Sequence, residues 1–274
     1  HGLRYRSNYG LHILHNAIFN MKVIYSGLES SGKSLKLAMT AISIAERNAK
    51  WFVKQAEDYD TMDQEAFEKK YKVKSPTARP IVSNMKFSEK FENYCREVLY
   101  IPIKYWSNID ELVLLDNADV FIDEVGNYFD ARLWADLSQD ARRWLTQGAK
   151  TGIEIYGSAQ DFAQVDKAFR RLVNHLFHIR KIMGSRRPSN TKPPVKNIWG
   201  ICMVTELDPQ TYDEQKSKFS NNGAFDFSFF FIEKENCEIF DTNQKIVRSK
   251  PASLRHLERA CERDNCAFHR IQHI

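Results

Sequence analysis

The chain has 274 residues, 43% hydrophobic and 27% charged, with a net charge of +5. That is the composition of one large globular domain, or one domain with an appendage, and it excludes a disordered or uniformly basic chain. No apolar run approaches the ~18 residues needed to span a bilayer, and five cysteines in so long a chain fit a reducing compartment better than a disulfide framework.

Residues 1–20 show no hydrophobic period and read as an extension outside the fold. Met21 opens "MKVIYSG", with a strand at 22–26 leading into a glycine-bearing loop. From Lys33 to about Arg47 the stripe Leu35, Ala38, Met39, Ile42 and Ala45 predicts a helix. The highly charged residues 54–75, closed by Pro76 and Pro80, read as a surface insertion. Further strands are predicted at 81–84, within 98–106, in "ADVFIDEVGNYFD" (118–130) as a buried strand ending in acids, at the start of 152–161 and at 176–182. Helices are predicted at 108–117 with Ser107 or Asn108 as cap, at 137–150 with Ser138 as cap, and at 165–175.

Strands and helices alternate to about residue 182. The prediction is an α/β core over 21–182, a mostly parallel sheet covered by helices. Residues 183–198, rich in Pro, Ser and basic residues, read as a basic linker. Only strand patterns follow, so 199–248 is predicted as a small antiparallel β annex, and 249–274 as a helical tail bearing Cys and His. Charge is uneven along this chain. Residues 167–196 hold nine Lys/Arg and no Asp or Glu, which makes a local positive face against a net acidic remainder.

The loop after the first strand, Gly27-Leu28-Glu29-Ser30-Ser31-Gly32-Lys33-Ser34, matches G-x-x-x-x-G-K-[ST]. Gly27 and Gly32 permit a tight path in which successive N–H groups point at phosphate oxygens, so Ser30, Ser31, Gly32, Lys33, Ser34 and Leu35 are candidate nucleotide contacts. Lys33 reaches the β- and γ-phosphates, and the Ser34 hydroxyl is placed to hold Mg²⁺. The helix beginning there aims its positive end at the same phosphates. The strand before the pattern and the helix after it are the context of a P-loop NTPase rather than of an accidental Gly/Ser turn.

A second strand ends in Asp123-Glu124. Asp123 suits the Mg²⁺ shell, and Glu124 suits activation of an attacking water. A kinase has no use for a water-activating Glu, and no Asn/Thr-Lys-x-Asp guanine-reading motif is present, so ATP hydrolysis leads. Gln160, where "IEIYGSAQ" ends, is placed to report the γ-phosphate or position water. Arg170 and Arg171 just beyond it are candidates for an arginine given to a neighbouring subunit's ATP, with Arg142-Arg143 a second pair; a solvated basic helix face is the plainer alternative.

Five pieces in order, "IYSGLESSGKS", "PIVSN", "VFIDE", "ARRWLTQGAKTGIEIYGSAQDFAQVDKAFRRL" and "CEIFDTNQKI", resemble the zonula occludens toxin (Zot) family, over roughly 21–246. That family includes the assembly ATPases of filamentous phages, P-loop proteins of the additional-strand class with a core similar to HerA/FtsK-type pumping motors. The resemblance implies an ATPase, working as a ring homo-oligomer, that drives DNA movement or virion assembly together with DNA or virion proteins. By motif match Lys33, Ser34, Asp123 and Glu124 take the nucleotide roles, and Gln160 less directly. Phage members usually continue into a membrane helix. None is visible here, so the expectation is a cytoplasmic host-cell location, peripheral at the inner membrane through a separate membrane-bound partner.

The tail carries Cys261, Cys266, His269 and His273. Cys266, His269 and His273 share one face of a helix, and Cys261 joins across a turn, a set that suits structural Zn²⁺; a basic amphipathic helix with buried thiols is the alternative. Two other functions fit the loop. A P-loop kinase or phosphotransferase would need an arginine lid, which Arg186-Arg187 could imitate, and a binding module would use ATP only as a switch.

Overall fold

A computed structural model describes residues 21–130, 132, 137–184, 199–210, 212, 224–233, 237 and 239. The chain forms a P-loop NTPase-like α/β fold. Among the described residues its strands are β1 (Lys22–Ser26), β2 (Ile81–Ser83), β3 (Ile103–Tyr105), β4 (Asp119–Ile122), β5 (Glu154–Ala159), β6 (His175–Gly184), β7 (Gly200–Leu207) and β8 (Ala224–Ile232). All eight join one sheet in the order β3-β2-β4-β5-β1-β6-β7-β8. The first six in that order pair in parallel, and β7 and β8 extend β6 in antiparallel fashion. β5 therefore stands between β1, which feeds the glycine loop, and β4, which ends in Asp123-Glu124. This is the additional-strand arrangement.

Helices α1 (Lys33–Thr61), α2 (Gln64–Tyr71), α3 (Glu89–Asn93), α4 (Gly126–Phe129), α5 (Gln139–Thr151) and α6 (Lys167–Arg170) connect the strands. Alternate side chains of each central strand enter two cores, as the period of two requires. Val23, Tyr25, Ile81, Phe121 and Tyr156 meet Leu37, Ala41 and Ile44 of α1. Ile24, Val82, Val120, Ile122 and Ile155 meet Ala141, Trp144 and Leu145 of α5. The β7–β8 pair adds Cys202, Val204, Phe230 and Ile232 to the core on the α1 side, while Leu207 at the end of β7 packs against the other.

Several elements depart from the sequence reading. The first helix runs on to Thr61, and its continuation buries Gln55, while Phe67 and Tyr71 of α2 are buried as well. The stretch around 98–106 forms only the three-residue β3: a π-helix occupies Tyr94–Leu99, Tyr100 ends it at φ 56°, and Pro102 has no N–H to give a sheet. The helix expected at 108–117 is a 3₁₀ turn, Ile109–Glu111, closed by an Asn108/Glu111 capping box. The helix expected at 165–175 is one turn, because a bridge to Asp130 holds Val165 extended and Asp166 caps only from there. Ser138 does cap α5, accepting from the Ala141 N–H at 3.1 Å.

Lys36 is the odd residue in the α1 core. It is 9% exposed, and its ammonium lies 5.5 Å from the Phe230 ring centre. Burial pulls it down from the usual 10.5 to about 8. Because the native state then binds fewer protons than the unfolded chain, stability rises as pH climbs from 8 to 10.5, and the full penalty is present below 8. Lys36→Met is expected to stabilise the protein at pH 7 on the order of 2 kcal/mol after loss of the cation–π contact. Thermal unfolding at pH 7 and pH 10 would check this: a gain that does not shrink at high pH would contradict it.

Candidate nucleotide site

The site sits at the C-terminal ends of β1, β4 and β5, where parallel strands leave loops free to carry chemistry. The loop from Gly27 to Gly32 is drawn tight by backbone bonds. The Gly27 N–H donates to the Ala159 carbonyl at 3.2 Å, and the Ser31 N–H to the Leu28 carbonyl at 3.2 Å. Gly27 has φ 151°, and a Cβ there would stand 2.3 Å from the Ile179 carbonyl oxygen, so no other residue fits without moving β6. Gly32 (φ 98°) and Ser30 (φ 61°) complete the turn into α1.

Lys33 is 5% exposed and donates to the Leu28 carbonyl at 3.2 Å. Burial lowers its pKa, against the opposing pull of Glu124, Asp123 and Glu29. The Ser34 hydroxyl donates to Asp123 Oδ1 at 3.0 Å, so the loop and the end of β4 meet within one hydrogen bond. A hydroxyl and a carboxylate so placed fit Mg²⁺, which Ser34 and Asp123 would hold and which would supply charge neutralisation to a bound phosphate. The buried Ser31 hydroxyl has no hydrogen-bond partner among the described residues, and it faces the loop where a phosphate oxygen would sit in the nucleotide reading. Leu35 is buried behind the loop.

Three residues that sequence reasoning missed build this site. Asn84, at the end of β2, brackets Asp123: the Asp123 N–H donates to its Oδ1 at 2.7 Å, and its Nδ2 donates to the Asp123 carbonyl at 3.0 Å. Tyr128 Oη stands 3.2 Å from the same amide. Ser158 on β5 donates to Asp123 Oδ1 at 2.6 Å and accepts from the Glu124 N–H at 3.0 Å. Their signals were the polar ends of "PIVSN" and "IYGSAQ", but only the sheet order makes β2 and β5 the neighbours of β4.

Glu124 adopts φ 55°, an uncommon conformation for a non-glycine residue and one often found at working sites. Burial raises its pKa, Lys33 opposes this and Asp123 adds to it. Gln160 Nε2 donates to Glu124 Oε1 at 3.4 Å, so the third expected residue joins the pair. The Arg170 guanidinium lies 5.9 Å over the Phe162 ring, and Arg171, which caps the C-terminus of the same short helix, is exposed. Cys261, Cys266, His269 and His273 lie outside the described residues, as do 1–20 and Arg186-Arg187. Among the described residues no group of three or more metal-binding side chains occurs, and no helix is long and apolar enough to cross a membrane.

The family model described as "Zonular occludens toxin (Zot)" matches residues 21–193. No curated protein matches. Among solved structures, the N-terminal domain of zonular occludens toxin from Neisseria meningitidis is similar at 17% identity, with a TM-score of 0.44, over 82% of this chain and 100% of that one. The genome packaging NTPase B204 from Sulfolobus turreted icosahedral virus 2, in complex with ATP-gammaS, is similar at 13% identity, with a TM-score of 0.33, over 62% of this chain and 76% of that one. The assignment rests on the family match, which spans more than half the chain: this protein belongs to the Zot family.

Proposed function

We propose that the chain is an ATP hydrolase that works as a ring in virus assembly, using ATP–Mg²⁺ to move DNA or assembling virion components. The observation that carries the reading is the 3.0 Å bond from Ser34 to Asp123, with Glu124 next in the chain and Gln160 on its carboxylate. In this reading the loop N–H groups and Lys33 bind the β- and γ-phosphates. Bound Mg²⁺ would neutralise phosphate charge, held by Ser34 and Asp123. Glu124 takes the proton of the attacking water, and Gln160 keeps that carboxylate aimed.

Arg171, exposed beyond the end of β5, and Arg170 beside it are the arginines proposed to reach a neighbouring subunit's ATP. Family membership supports the ring and the assembly role, and the acid-free basic stretch 167–196, which includes the exposed Arg180 of β6, supports DNA as the track. We place the ATPase core at 21–182 and the protein in the host cytoplasm, reaching the inner membrane through a partner.

The test is phosphate release from ATP by the full chain, with and without single-stranded DNA, across a salt series. Turnover is expected to rise with DNA, and the stimulation to fall steeply as salt increases. A rate indifferent to DNA at every salt concentration would remove DNA as the track, and ATP bound without turnover would sink the motor.

A further inference from the structure

The part of the cradle just ahead of Lys33 is backed by residues far away in the sequence. Cys202 on β7 and Phe230 on β8 are cross-strand partners, and they are 0% and 1% exposed. Burial pushes the Cys202 thiol up to about 11, so it keeps its proton at neutral pH and can donate. It does so, to the Ser31 carbonyl, at 3.3 Å. A Cβ on Gly32 would stand 3.2 Å from Cys202 Sγ and 3.2 Å from the Phe230 ring, so the two side chains form a pad directly against the loop backbone. Both lie beyond residues 21–193, the part matched to the family, and neither belongs to the glycine–lysine pattern.

A trans peptide is planar, with its C=O and N–H on opposite sides. A Ser31 carbonyl held against β7 therefore turns the Gly32 N–H the other way. Gly32 has φ 98°, and a glycine in this region meets little steric resistance when the peptide before it flips. The thiol bond selects one orientation.

We infer that Cys202, seated beside Phe230, is a positioning residue of the nucleotide site: it holds the Ser31–Gly32 peptide so that the Gly32 N–H faces a phosphate oxygen of the bound nucleotide. This rests on the nucleotide reading of the loop. It makes the β7–β8 extension part of the cradle, since the strands that follow the parallel core set the direction of one of its donors.

The test is calorimetric titration of the full chain with ADP and Mg²⁺, alongside thermal unfolding, for wild type, Cys202→Ala, Cys202→Ser and Val204→Ala. Val204 is buried on the same face of β7 and belongs to the same core. Cys202→Ala is expected to raise the ADP Kd about five- to tenfold, the value of one ordinary hydrogen bond. Cys202→Ser restores a donor and is expected to bring Kd back to within about twofold of wild type, and Val204→Ala to lower Tm with Kd unchanged. Wild-type ADP affinity in Cys202→Ala, no rescue by Cys202→Ser, or equal weakening in Val204→Ala would each overturn the positioning role while leaving the nucleotide reading intact. A wild-type chain that binds no ADP would overturn both.

Discussion

Glu124→Gln is expected to bind ATP as wild type does and to lose turnover by about 10²- to 10⁴-fold, the usual contribution of a positioned general base. The substitution keeps the size of the side chain and the loop geometry but removes the proton acceptor. Lys33→Ala is expected to fail at the earlier step. Its ammonium is buried beside the loop and held by the Leu28 carbonyl, so losing it removes a charge-assisted contact to phosphate and weakens ATP binding about 10- to 100-fold. The pH profile adds a sign. Glu124 must be ionised to accept a proton, and burial raises its pKa above the ordinary 4.5, so the acid limb of kcat is expected to lie above that value. Fluorescent-nucleotide binding and phosphate release, measured on both variants from pH 4.5 to 8, separate the steps. Wild-type turnover in Glu124→Gln would remove it as the base.

Asp119→Ala is expected to cost about 3–5 kcal/mol of stability, enough to threaten folding in a protein whose total margin is about 5–15 kcal/mol. Asp119 opens β4 at the end of the sheet away from the cradle and is 0% exposed. Its carboxylate accepts from Arg79 Nε at 2.8 Å and Nη2 at 3.0 Å, Arg47 Nη2 at 3.1 Å and Asn48 Nδ2 at 2.6 Å. Arg47 also donates to Glu154 at 2.9 Å. Burial works against this charge, but Arg79 and Arg47 outweigh it and hold Asp119 below the ordinary carboxylate range. Its contribution is therefore complete above pH 3.8 and is lost as pH falls through the lower native value.

Removing Asp119 leaves the guanidinium of Arg79, a side chain only 2% exposed, without its carboxylate, and that uncompensated charge is the main penalty. Thermal unfolding should show Tm falling by roughly 10 °C or more. The double variant Arg79→Met/Asp119→Leu should recover much of the loss, because an apolar pair avoids the stranded charge. A single variant as stable as wild type would mean that the network contributes nothing net.

This network shows where sequence reading stops. Asp119, Glu154, Arg79 and Arg47 are ordinary charged residues scattered over 108 positions, and nothing in their spacing marks them as partners. They meet because β4 and β5 are adjacent in the sheet and α1 crosses beside them. The same holds for Asn84 and Ser158, which hold Asp123 from strands on either side of β4. The parallel core was legible because apolar runs of the right length alternated with helical stripes. The single-turn α6 and the short β3 were not, because a bridge, a left-handed residue and a proline override local propensity there.

The amino-acid sequence by itself determined the glycine loop of the candidate site, the acidic pair after a buried strand, and the glutamine that joins them. These depend on local covalent geometry: Gly at positive φ, a helix start, and charged residues at strand ends. Only the tertiary structure decided which residues hold that machinery in place. It put β5 between β1 and β4, so that Ser158 and Gln160 reach Asp123 and Glu124. It also laid β7 and β8 against the loop, so that a thiol more than 160 residues along the chain grips the carbonyl before Gly32. The physical reason is that a hydrogen bond depends on distance in space, and sheet order, which strand-by-strand patterning leaves open, sets that distance.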